Sequence, residues 1–98
     1  MAETWERDNL AANINSLFRV TTGNGRTLDL ELISVSGLLE TDKQRTFSVI
    51  FLGPVDISVG QGTYRIEHNK LETADVFIVP VARNNKGVEY EAVFNRLK

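Results

Sequence analysis

The chain has a single histidine, His68, the side chain best suited to proton transfer near neutral pH. By strand phase it shares a face with Tyr64 and Ile66, the apolar side of its segment. As a metal ligand it would need further nitrogen or sulfur donors, and as part of a triad it would need a positioned nucleophile. Ser48, Ser58 and the carboxylates stand at no motif spacing around it. The expectation is a partly buried, hydrogen-bonded residue at a strand end. An enzyme using His68 with Glu67 or Glu91 is the weakest functional reading.

Other chemistry-bearing residues read the same way. Glu89 and Glu91 both fall on the polar phase of one segment, whereas glycosidase chemistry needs two carboxylates facing across a cleft. Gly60-Gln61-Gly62 is followed by a strand pattern, not by the helix a phosphate loop opens, so these glycines are expected at a bulge or tight strand entry. Asn69 and Asp75 lack the spacing of a calcium loop. Tyr64, Tyr90, Phe94 and Phe77 could form a stacking surface, but aromatics at alternate strand positions are expected in the core. With no cysteine, thiolate catalysis, disulfides and Cys-ligated zinc are excluded. No catalytic residue, metal or cofactor is assigned.

The elements that must position these residues are mostly strands. The one helical signal is Leu10, Ile14 and Leu17 at i, i+4 and i+7, which predicts a helix over about 8–17, N-capped by Asp8 or Asn9 and laid across one end of the β structure. Asn13, Asn15 and Ser16 weaken it. Trp5, just upstream, is expected to pin the N-terminal arm to the core, with exposed contact as its other use.

From Phe18 the period becomes two. Phe18, Val20 and Thr22 share a face, Gly23-Asn24-Gly25 turns the chain, and Leu28, Leu30 and Leu32 alternate with Asp29 and Glu31. Residues 35–45 read as a surface loop. Phe47, Val49 and Phe51 alternate with Ser48, Ile50 and Leu52, so this strand is expected to be central or covered on its second face, by the helix for instance. Gly53-Pro54 ends it. Further strands follow around Tyr64–His68, Val76–Val79 and Val88–Phe94, with Pro80 marking an edge or bulge and Asn84-Asn85-Lys86-Gly87 a turn.

The 98 residues make one domain, 42% hydrophobic and 24% charged, ordinary values for a soluble globular chain. About six short-spaced strands predict a mainly β fold: a small six-stranded, mostly antiparallel barrel, with strands from about 18 to 96 and one short N-terminal helix as a plug. Nearly every bulky side chain from Phe18 onward is expected inside it. The net charge is −2 and the Lys and Arg residues are scattered, so no nucleic-acid footprint is present. No apolar run is long enough to span a bilayer as a helix. The polar start M-A-E-T-W-E-R-D does not read as a secretory signal, and the expected location is cytoplasmic or within an assembled particle.

The series F-S-V-I-F-L-G-P (Phe47–Pro54), Q-G-T-Y-R-I-E-H (Gln61–His68), V-F-I-V-P-V (Val76–Val81) and Y-E-A-V-F-N-R (Tyr90–Arg96) resembles a family of small bacterial domains of unknown function. The likeness runs from about Phe18 to the end, with Glu72 after Leu71 where a glycine is usual. It implies a single small domain and no catalytic residues, and an accessory part in a phage-tail-like particle.

Three functions are therefore weighed. The first is a non-enzymatic interaction or assembly module, binding another protein or itself through Trp5, Leu38 and Leu39, or Val55 and Ile57. The second is a small-ligand barrel, for a carbohydrate for example, built round Tyr64, His68 and Tyr90. A barrel this small has an interior filled by side chains, which counts against it. The enzyme is the third.

Overall fold

The computed structural model describes residues 5–97, and side chains as far as Arg96. Met1–Thr4, read above for a secretory signal, lie outside the described residues. The elements are α1 (Arg7–Ala11), β1 (Leu17–Thr21), β2 (Thr27–Val35), β3 (Leu39–Glu40), β4 (Gln44–Gly53), β5 (Gly62–Glu67), β6 (Ala74–Asn84) and β7 (Gly87–Leu97). Pairing runs β2-β1-β5-β6-β7-β4, and a β2–β4 pairing closes the ring. The fold is thus the expected six-stranded antiparallel barrel, with β3 added on β4.

Period-two alternation fills the interior. Phe18 and Val20, then Leu28, Leu30 and Leu32, then Phe47, Val49 and Phe51 all point inward and are buried. Ile66, Val76, Ile78, Val88, Tyr90 and Ala92 complete the core from the other three strands. The β1–β2 connection, Thr22 to Arg26, closes on a three-residue turn, Gly23 to Gly25. Thr22 N–H donates to Arg26 O over 2.8 Å, Gly25 N–H donates to Thr22 O over 3.0 Å, and Gly25 takes φ +83°, the left-handed position this loop type needs.

The ring's lower end, the floor, is closed by Trp5, Leu10 and Leu71, all buried. Trp5 lies edge-on to Phe18 at 5.5 Å between ring centroids, and Phe18 continues edge-on to Phe51 at 5.3 Å. Phe47 and Phe94 stack at 5.0 Å just above the floor.

Three expectations need correcting. The helix is five residues long, not the ten of 8–17, and Glu6 holds its N-cap position without a side-chain bond. Leu10 is buried, but Ile14 and Leu17 are 39% and 59% exposed. The helix stops because Asn15 adopts φ +75° and its N–H donates to Leu32 O, while Leu32 N–H donates to Ser16 O. Pairing with β2 thus outcompetes another helical turn in residues that favour turns. Second, residues 35–45 are not all loop: Leu39–Glu40 pair with Arg45–Thr46 around a turn in which Thr41 Oγ1 accepts from Gln44 N–H.

β4 is central, as one of the two expectations had it, pairing with β2, β3 and β7. Outward Ile50 and Leu52 stand between Ser34 and Glu91 and between Glu31 and Glu89. Third, not all the bulky side chains after Phe18 are inside. Phe77, Val81 and Val93 point outward.

Candidate functional site

His68 follows the end of β5 at the floor, its ring 4.3 Å from that of Phe18. Its Nδ1 accepts from Lys70 N–H over 3.0 Å, so the neutral ring carries its proton on Nε2. Nε2 lies 2.9 Å from Ser16 Oγ, whose hydroxyl in turn donates to Asn13 O. The Nε2 proton is therefore directed at Ser16, and no ring lone pair is left to take a proton from that hydroxyl. Burial first, and the Lys70 charge second, hold the imidazole below its ordinary 6.5. The arrangement orients a ring; it does not activate a nucleophile. Among the described residues no group of three or more His, Asp or Glu side chains could hold a metal ion.

Tyr64, His68 and Tyr90 do not meet at one site. Tyr64 sits at the upper rim, its hydroxyl donating to Gly60 O over 2.8 Å. His68 is four residues further along the chain at the floor, roughly 13 Å away at strand rise. Tyr90 is buried in the core, and its hydroxyl accepts from Val59 N–H over 3.1 Å. The space beside Tyr64 is a groove of about 560 Å³ between the β1–β2 loop and residues 57–60, without the other two rings.

The residues expected to dock a partner also separate. Trp5 is 1% exposed, and it works as a pin. Its Nε1 donates to Glu72 O over 2.8 Å, and its carbonyl accepts from Arg96 Nη2 over 2.6 Å. Leu38 and Leu39 are exposed beside the start of β4, near the floor. Val55 and Ile57 are exposed past the end of β4, at the rim. Leu39 lies opposite Thr46, and the strand from there to Gly53 puts about 23 Å between the two pairs, so they form no common patch.

A further set lies on the outside of β6 and β7. Phe77, Val81 and Val93 are 52%, 51% and 54% exposed. Phe77 and Val93 lie just below Val79↔Glu91, the last pair of the β6–β7 ladder. Val81 is the extra residue of a bulge between Pro80↔Tyr90 and Ala82↔Glu89. Around these three, the outward positions of the same strands carry Asp75, Glu89 and Glu91.

A family model for a domain of unknown function (DUF6916) matches residues 5–94, nearly the whole chain. The chain belongs to the DUF6916 family. Comparison with curated proteins and with solved structures finds no match. Among the described residues of this DUF6916 domain, no helix is long and apolar enough to cross a membrane.

Sequence reasoning passed over the outer face of β6 and β7 although the signal was present. With Val76 and Ile78 turned inward, period two sends Phe77 outward. A run apolar at every position hides that phase, because either register looks equally buried.

Proposed function

We propose that this DUF6916 domain is a non-enzymatic protein-interaction module whose working surface is the outer face of the β6–β7 hairpin. The observation that carries the reading is the trio Phe77, Val81 and Val93, three large apolar side chains about half exposed on neighbouring strands. Apolar groups gathered on one exposed face mark surfaces that partners cover. The hydrogen bonds that occupy both nitrogens of His68 support the non-enzymatic half of the reading. A tail-like particle is the assembly that the family resemblance suggests for the partner.

A photo-crosslinking residue placed at position 77 in the source cell, with position 29 on the outer face of β2 as control, tests it. The expected result is a discrete protein adduct from position 77 and none from 29. Equal labelling from both, or none from 77, overturns the reading.

A further inference from the structure

β7 is paired along its whole length on one side only. Toward β4, ten consecutive partners run from Gln44↔Leu97 to Gly53↔Val88. Toward β6, the ladder holds only Val79–Asn84 against Gly87–Glu91. Below it the two strands diverge: Ala74–Ile78 pair with β5 on one edge, Ala92–Leu97 pair with β4 on one edge, and they do not pair with each other. Between them lies a cleft of about 510 Å³, lined by residues 73–76 and 93–96 with Trp5. Trp5 spans its lower end, bonded to Glu72 on one side and Arg96 on the other.

Along a paired strand, alternate residues turn their N–H and C=O groups away from the existing partner. Two such rows face this cleft. Main-chain donors and acceptors in series are matched by another extended backbone, which has the same repeat. We propose that the cleft receives an extended segment of another protein, which pairs as an added strand with the open edges of β6 and β7.

The surroundings define the segment. Its inward side chains would meet Trp5 and Phe94, so they are apolar. Its outward side chains would lie near Asp75 and Glu91; Asp75 is 3.7 Å from Arg65, and Glu89 adds a further carboxylate higher on β7. That rim favours Lys or Arg on the incoming strand. A second copy of this chain would bring the same carboxylates together, which disfavours self-pairing.

This inference rests on the interaction reading above, and the tests separate the two. The whole chain, immobilised, is panned with a random linear 12-residue peptide library. Enriched peptides should alternate apolar residues with Lys or Arg, and should slow amide exchange at 74–78 and 92–96. N-methylation of any single peptide residue within the paired stretch should weaken binding about tenfold, because successive N–H groups bond alternately to β6 and to β7 and each loses a main-chain bond. No enrichment, protection confined to other segments, or uniform tolerance of N-methylation overturns the proposal. If adducts still form from position 77 in that event, the module reading stands and only the cleft is wrong. If they do not, both fall.

Discussion

The two flanks of β7 share one strand and differ in almost everything else. Toward β4, alternation is unbroken on both partners, ten pairs form, and aromatic residues lock across them, with Phe47 stacked on Phe94. Toward β6, Pro80 has no N–H to give, Val81 bulges, and the strands part below Val79. The comparison shows what sets ladder length here: a strand keeps pairing while each residue can both bond and pack. One proline and one extra residue interrupt that on the β6 side, and the ladder stops one pair past them, at Val79↔Glu91.

The contrast can be broken or sharpened by substitution. The largest loss is expected for Phe51→Ala on β4, about 4 kcal/mol by urea unfolding, because the ring is fully buried against Phe18. A loss below about 1 kcal/mol there would mean the β4 flank is not the tightly packed one.

Gly87→Ala should cost about 3 kcal/mol, since Gly87 holds φ +148° and an added Cβ would stand 2.1 Å from Gly53 O. A neutral outcome would show that the hairpin tip is not pressed against the end of β4.

Trp5→Phe should cost about 1–2 kcal/mol through the lost bond to Glu72 O. It should also speed exchange of the amides at 74–78, which pair with β5, while leaving the β4–β7 amides as slow as before. Equal acceleration on both flanks would erase the distinction between them.

A smaller effect concerns pH. The folded His68 ring gives up its proton more readily than the unfolded one, whose pKa is near 6.5. As pH falls below 6.5 the unfolded chain takes up the proton first, so stability declines towards acid and is complete above 6.5. In His68→Phe this part of the slope between pH 5 and 7 should vanish, and an unchanged slope would count against the buried, bonded ring.

The smallest change is expected for Phe77→Ala, within about 0.5 kcal/mol, because that side chain already stands half in water. A loss matching that of Phe51→Ala would place Phe77 in the core and remove the proposed surface.

Much of the barrel was legible in the chain. Leu28, Leu30 and Leu32, and Phe47, Val49 and Phe51, declare their inward faces by alternation, and Pro80 announces the irregularity found beside it. The helix was misjudged because a spacing of Leu10, Ile14 and Leu17 says nothing of Leu32, whose backbone captures Asn15 and Ser16. The arrangement of the docking candidates is hidden for a related reason: exposure of Leu39 or Ile57 can be guessed locally, but their placement at opposite ends of β4 cannot.

By itself, then, the sequence determined which face of most strands is apolar and where the chain turns. Both follow from backbone geometry over two to four neighbouring residues. Only the tertiary structure decided how the ring closes, that Trp5 meets Arg96 from ninety-one positions away, and that β6 and β7 part to leave a cleft. Those outcomes depend on which distant edges compete for the same main-chain hydrogen bonds, and no local pattern records that competition.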